Sequence, residues 1–203
     1  MDYRAAFNRC AVIIDDLRLP VSHEEVLEIL HQKGFNKLEV DLIKLARNCL
    51  VDSKYRRGSR LVEAPEFFDC SSFIKWLYGQ RGIWLPRRSI QQRFLGEVIS
   101  LNQEIAGDVI FISGAINYYD INSSDGVGHA GIYTGEGTVV HAANRNLNLV
   151  ETPLSDFITK SNFRGIRRYL PVNQEVITFE LPLGREVETE DDIRWIILQS
   201  LNF

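Results

Sequence analysis

The sequence predicts an α+β fold in which N-terminal helices are followed by a central antiparallel β-sheet. Apolar residues recur at helical spacing early in the chain, and short β-branched runs separated by glycine, asparagine and aspartate turns take over after residue 108. No internal repeat or low-complexity tract interrupts either pattern. At 203 residues the chain exceeds the roughly 150-residue norm for a domain, which favours one core with extensions over two full domains.

Tyr3, Phe7, Cys10, Ile14 and Leu17 fall at helical spacing before Pro20 interrupts them, so a first helix is expected there. Ser22 and Glu25 form a capping box that opens a second helix through Leu30, with Gly34 at its C′ position. Asn36 and Glu39 repeat the signature, and Leu38, Leu42, Leu45, Ala46 and Cys49 form the apolar stripe of a third helix. Gly58 and Pro65 break the stretch that follows. A helix resumes after Cys70, with Phe73, Trp76 and Leu77 on one face and Gly82 beyond its end. Residues 109–112, 130–133, 138–142 and 147–150 read as strands of an antiparallel sheet, with 164–170 as its last member. In the tail, residues 176–179 read as a further strand and 191–201 as a helix carrying Ile193, Ile196 and Ile197.

Composition excludes several function classes. Hydrophobic residues at 45% and charged residues at 25% are ordinary for a soluble globular chain and argue against disorder or a rod. A net charge of −4 gives no global attraction to phosphate backbones or anionic lipid. The local basic stretches, Lys54-Tyr55-Arg56-Arg57 and residues 164–168, are short and read as solvated strand edges, so no nucleic-acid partner is expected. The longest apolar runs, such as Val109-Ile110-Phe111-Ile112, fall far below the roughly 18 residues of a spanning helix, so no membrane insertion is expected. Met1-Asp2-Tyr3-Arg4 lacks a basic n-region, and Asp15-Asp16 falls where a signal peptide needs its h-region or cleavage site. Three cysteines, Cys10, Cys49 and Cys70, form no C-x-x-C pair and no disulfide framework, which suits a reducing compartment. The expected location is cytoplasmic, or exported without a classical signal peptide.

Chemistry gathers around Cys70. Asp69-Cys70-Ser71-Ser72-Phe73 places it in the first turn of an expected helix, where unpaired backbone N–H groups and the helix dipole favour a thiolate nucleophile. Position alone leaves Cys70 equally open to a buried structural role, as for Cys10 and Cys49. The histidines shift that balance. His129 and His141 flank the turn sequence Thr134-Gly135-Glu136-Gly137 on two strands of a hairpin. A register pairing the two positions makes them directly opposed, and a two-residue shift makes them diagonal neighbours on one face. A one-residue slip puts them on opposite faces. On one face they supply a base and its orienting partner, as nucleophilic catalysis requires. Zinc needs further ligands at suitable spacing, and the eleven residues between the histidines match no usual motif, so no metal is expected.

These motifs resemble those of the NlpC-type cell-wall peptidases, which are papain-like cysteine hydrolases. The resemblance runs over residues 37–170 and rests on D-C-S-x-F from Asp69, L-P-R-x-S-x-x-Q from Leu85, G-D-V-I-F from Gly107 and H-x-G-I-Y-x-G-x-G-x-x-x-H-A from His129. It implies a papain-like catalytic domain over residues 36–170, between an N-terminal helical extension at 1–35 and a C-terminal strand-helix extension at 171–203. It also implies roles. Cys70 resembles the nucleophile, His129 the base that takes its proton, and His141 the third member that fixes His129. Tyr55 resembles the family's tyrosine whose hydroxyl helps hold the oxyanion, although it lies three residues farther from the cysteine than is usual. Asp69 and Ser71 match positions that receive the free amine of the substrate, and Arg87 and Ser89 match the substrate-lining segment. Ser72 stands where a glycine is common. The implied substrate is a murein stem peptide or fragment cleaved between γ-D-glutamate and diaminopimelate, with no cofactor.

Other readings stay open at this stage. Related papain-like folds act as amidases, transamidases or lipid acyltransferases on other acyl groups, and fold does not decide between them. A catalytically silent binding module is a third reading, with the terminal extensions as contact surfaces for a protein partner. Tyr118-Tyr119-Asp120, in a long stretch between Gly114 and Gly128, is expected either to roof the cleft or to decorate the surface.

Overall fold

The computed structural model describes residues 3–114 and 126–201, so Tyr118, Tyr119 and Asp120 lie outside the described residues. The chain runs through β1 (Arg9–Val12), α1 (His23–Gln32), β2 (Asn36–Leu38), α2 (Leu42–Asp52), β3 (Lys54–Tyr55) and β4 (Phe67–Phe68). It continues through α3 (Cys70–Gln80), α4 (Ser89–Gln92), β5 (Glu97–Ile99), β6 (Val109–Ile112), β7 (His129–Tyr133) and β8 (Thr138–Asn144). The last elements are β9 (Asn148–Pro153), α5 (Leu154–Phe157), β10 (Phe163–Arg168), β11 (Ile177–Glu180) and α6 (Glu190–Ser200). Among the described residues no helix is long and apolar enough to cross a membrane.

Two compact units divide the chain. The first comprises Met1–Val40, Tyr78–Trp84 and Pro171–Phe203, and the second Asp41–Leu77 and Leu85–Leu170. The mixed class expected from sequence stands, but the opening of the first unit differs. Residues 9–12 form a strand rather than part of a helix, and only a short 3-10 turn, Ile14–Leu17, follows. Phe7 and Asn8 both adopt left-handed backbone, with φ of 54° and 58°, which no continuing helix accommodates. β1 then pairs antiparallel with β11, Cys10 opposite Phe179 and Val12 opposite Ile177, and β2 pairs with the other edge of β11. The two terminal segments, read separately in the sequence, therefore share one sheet.

The third expected helix starts later than its apparent capping box. Residues 36–38 are strand, and Asp41 is the N-cap of α2, accepting the N–H groups of Ile43 and Lys44 at 3.0 and 2.9 Å. The second helix is as expected: Ser22 and Glu25 form a reciprocal capping box, and Gly34, at φ 87°, follows its end. Cys10, Val12, Val26, Leu30, Phe179, Ile193 and Ile197 are buried together as the core of this unit.

The second unit is built on a six-stranded antiparallel sheet in the order β5-β10-β6-β7-β8-β9. Its core includes Ile110, Ile112, Val139, Phe157 and Ile166. β5, which the sequence reading did not include, forms one edge. A separate parallel pair joins β3 to β4, placing Tyr55 beside Phe68 and hence just before the helix that opens on Cys70. Arg168, read in sequence as part of a solvated strand edge, is instead nearly buried: its Nη2 donates to Asp108 Oδ2 at 2.7 Å and its Nε to Oδ1 at 2.8 Å. Asp108 is 1% exposed, so this ion pair explains the aspartate of G-D-V-I-F as a structural anchor.

Candidate active site

Cys70 is the first residue of α3 because Asp69 caps the helix. Asp69 Oδ1 accepts the Ser72 N–H at 2.8 Å, and Ser72 Oγ accepts the Asp69 N–H at 2.9 Å. Ser59, fully buried, joins them: its Oγ lies 2.7 Å from Ser72 Oγ and 2.9 Å from the Asp69 nitrogen. Ser72 thus points into a buried serine pair rather than toward a ligand, and its departure from glycine is accommodated there. Phe68 packs edge-on against Phe73 and tilted against Trp76, at 5.3 and 5.4 Å between ring centroids, which fixes the start of α3 against β4.

Cys70 keeps an accessible face, whereas Cys10 and Cys49 are buried. Its Sγ lies 4.0 Å from the carbonyl oxygen of Gly128, the residue before His129. Gly128 must be glycine, because a Cβ there would come within 2.3 Å of the Gly114 backbone. The hairpin register, Ile132 opposite Val140 and Tyr133 opposite Val139, makes His129 and His141 diagonal neighbours on one face. The alternatives, direct opposition or opposite faces, are thereby excluded. His129 Nε2 and His141 Nδ1 are 2.9 Å apart, and His141 Nε2 lies 3.0 Å from Thr152 Oγ1. Phe157 packs against both imidazoles, at 5.7 and 4.8 Å.

Burial dominates the electrostatics. It pushes the Cys70 thiol up to about 11, helped by the charge of Asp69 and opposed by the N–H groups of Ala130 and Ser71 and by Arg87. It pushes His129 down to about 4 against the pull of Asp69, and His141 down to about 3 with the repulsion of a charged His129 added. Removal from water thus works against the thiolate that the helix terminus favours, and against protonation of both imidazoles. Burial, then the neighbouring Cys70 and Asp69, also raises the Tyr55 phenol, which stays protonated and able to donate. The Tyr55 backbone N–H donates to Asn148 Oδ1 at 3.1 Å.

The remaining expected site residues form a second polar group. Arg87 Nη1 donates to Asp69 Oδ1 at 3.0 Å and to Ser71 Oγ at 2.8 Å, while Nη2 donates to Asp69 Oδ2 and to the Ser59 carbonyl. Asp69 Oδ2 also accepts the Gly58 N–H at 2.9 Å. Burial works against the Asp69 carboxylate, but the bonds from Arg87 and the Ser72 and Gly58 N–H groups outweigh it and hold the carboxyl below its ordinary value. The structure therefore gives Asp69 a helix cap, a guanidinium and a loop N–H as partners. Ser89, buried, opens α4. Among the described residues no three His, Cys, Asp or Glu side chains are grouped as a metal requires.

Sequence reasoning missed Ser59, Gly131, Asn148, Thr152 and Phe157. Gly131 had a signal, since a glycine inside a strand marks a close approach. A Cβ on it would come within 2.4 Å of Val139 Cγ1, 3.1 Å of His141 Cβ and 3.2 Å of Phe157 Cζ. The other four depend on pairings across the sheet or between loops that no local pattern encodes.

A cysteine opening a helix, set against histidines on an antiparallel sheet, is the arrangement of the papain-like cysteine-hydrolase fold. The sequence profile of the NlpC/P60 family matches residues 52–168, more than half of the chain, and the chain belongs to that family. Gamma-DL-glutamyl hydrolase of Bacillus subtilis (strain 168) is 37% identical over 105 residues, covering 51% of this chain and 24% of that protein. Gamma-D-glutamyl-L-lysine dipeptidyl-peptidase of Bacillus cereus (strain ATCC 10987 / NRS 248) is 31% identical over 106 residues, covering 51% and 29%. The crystal structure of an NlpC/P60 family protein from Bacillus cereus ATCC 10987 is similar at a TM-score of 0.53 and 27% identity, over 64% of this chain and 40% of that one. The chain spans roughly a quarter to a third of the length of these curated relatives.

Proposed function

We propose that the protein is a cysteine peptidase that hydrolyses the γ-D-glutamyl-diaminopimelate bond of peptidoglycan stem peptides, with Cys70 as nucleophile, His129 as base and His141 as its orienting partner. The observation that carries this reading is the hydrogen-bonded histidine pair beside a partly accessible cysteine at a helix N-terminus. The γ-glutamyl bond is supported by the names of two relatives, a gamma-DL-glutamyl hydrolase and a gamma-D-glutamyl-L-lysine dipeptidyl-peptidase.

Because thiol and imidazole are both neutral at rest, the proton moves as the sulfur attacks. His129 takes the Cys70 proton while the S–C bond forms, and the carbonyl oxygen becomes an oxyanion held by the Tyr55 hydroxyl and backbone N–H groups near Cys70. The protonated His129 then gives its proton to the leaving amine as the C–N bond breaks, which leaves a thioester. Water gives a proton to His129 and attacks the thioester, and the carboxylic product departs as the thiol regains its proton. Arg87, held by Asp69 and Ser71, and Ser89 line the substrate side in this reading.

Incubation of the protein with intact sacculi and with free stem peptides, followed by mass spectrometry, tests it. The expected products are fragments split between γ-D-glutamate and diaminopimelate, absent with Cys70→Ala. No product from either substrate, or equal product from the Cys70→Ala variant, overturns the proposal. Cleavage of a different acyl bond favours the amidase or acyltransferase reading.

A further inference from the structure

We propose that Thr152 is a positioning residue for the histidine pair: its Oγ1 accepts the Nε2–H of His141 and so holds the pair in the tautomers that allow His129 to take and keep the Cys70 proton. The inference deepens the proposed function and rests on its reading of His129 as the base.

The β8–β9 register supplies the contact. His141 stands opposite Val150, so Thr152, two residues farther along β9, is its diagonal neighbour on the same face. That diagonal brings Thr152 Oγ1 to 3.0 Å from His141 Nε2, while the other nitrogen of His141 faces His129 at 2.9 Å. Both nitrogens of His141 are therefore engaged, and one nitrogen of His129, Nδ1, is left for the sulfur.

Proton counting fixes the direction of each bond. Each neutral imidazole carries one N–H, and only one hydrogen fits between His129 Nε2 and His141 Nδ1. A hydroxyl both donates and accepts, so the resting pair alone admits two arrangements. The reacting state admits one. When His129 has taken the Cys70 proton it carries N–H on both nitrogens, so its Nε2–H must donate to His141 Nδ1. The single proton of His141 then sits on Nε2, and it needs an acceptor, which Thr152 Oγ1 provides. Without that oxygen, the His141 Nε2–H loses its partner. His141 Nε2 is then without a partner in either arrangement, as donor or as acceptor, and nothing holds the pair out of the opposite one, with the proton on His141 Nδ1. His129 Nε2 would become the acceptor of that bond, and its own proton would move to Nδ1, where it blocks transfer from the thiol.

The test uses the full chain labelled with 15N-histidine, and long-range 1H–15N correlation spectra that distinguish Nδ1–H from Nε2–H tautomers. In the unmodified protein at neutral pH, both His129 and His141 should carry their proton on Nε2. A proton on Nδ1 of either ring overturns the proposal with no variant needed, and this readout does not depend on finding the substrate. Thr152→Val should let Nδ1–H tautomers of both rings appear beside the Nε2–H forms. It should lower kcat by about tenfold to a hundredfold with KM within about twofold, because the interaction is strongest in the charged state. Thr152→Ser, which keeps the hydroxyl, should restore both the tautomers and most of kcat. Unchanged tautomers in Thr152→Val, or changed tautomers with an unchanged kcat, each overturn the role of Thr152 while leaving the peptidase reading intact.

Discussion

His129 and His141 meet nearly at right angles, their ring planes 86° apart and their nearest nitrogens 2.9 Å apart. Phe157 closes against both rings. This packing, more than any charge, sets the chemistry available at Cys70, because it buries His141, partly covers His129 and disfavours the protonated form of each.

The first consequence is the pH dependence of activity. In the proposed mechanism His129 is a base only when neutral, and burial pushes it down to about 4, far below the ordinary imidazole value of 6.5. The acid limb of kcat/KM should therefore fall near pH 4, with full activity through pH 6.5. Initial rates across this range, at substrate concentrations well below KM, check it. A limb centred on 6.5 would mean that His129 is solvated in the working enzyme.

The sequence carried the helix start at Cys70, the pairing of the two histidines and the Ser22 capping box because each is a local pattern: a helix start, a hairpin and a four-residue box. It misled at Cys10. The spacing from Tyr3 to Leu17 suits a helix, but residues 9–12 pair with β11, encoded far along the chain, and that pairing overrides the local preference. The Asn36–Glu39 pattern misled for the same reason, since Lys37 pairs with Phe179. The resting charge of Cys70 was equally illegible. A helix N-terminus is visible in a sequence, but the enclosing β7 backbone and Tyr55 are not.

A second prediction follows from that charge. With the thiol pushed up to about 11, Cys70 should react slowly with iodoacetamide at neutral pH, and its rate should climb as pH rises toward that value. Buried Cys10 and Cys49 should remain slower still in the folded protein. Peptide mapping of alkylation against pH checks both statements. A Cys70 rate that is already maximal at pH 7 would indicate a resting thiolate.

Gly131 is the third test. The Cβ of Gly131→Ala would meet Val139 Cγ1 at 2.4 Å and crowd His141 and Phe157, so something on the histidine face must shift. The expected cost is about 1–3 kcal/mol of stability, as for overpacked cores, together with a loss of kcat larger than the change in KM. Chemical unfolding and steady-state kinetics on the same preparation separate the two effects. Unchanged stability and unchanged kcat would show that the hairpin relaxes freely around the added methyl group.

The last prediction concerns how the substrate end is recognised. The Asp69 carboxylate accepts from Ser72, Gly58, Ser71 and both terminal nitrogens of Arg87, which already exceeds the roughly four lone-pair sites that a carboxylate offers. A substrate ammonium would have to displace one of these donors, and Arg87 is the only charged one among them. Acetylating the N-terminal alanine of a stem tripeptide should then lower kcat/KM by no more than about threefold, well short of the tenfold or greater loss expected for a desolvated ammonium–carboxylate contact. The partner experiment is Arg87→Met. It frees Asp69 from its guanidinium and should destabilise the fold by about 1–3 kcal/mol, because a nearly buried carboxylate loses its counter-charge. If the Arg87→Met enzyme becomes sensitive to acetylation while the parent is not, Asp69 is a latent ammonium site that Arg87 occupies. A tenfold loss on acetylation in the parent enzyme would instead show that the ammonium displaces Arg87 during binding.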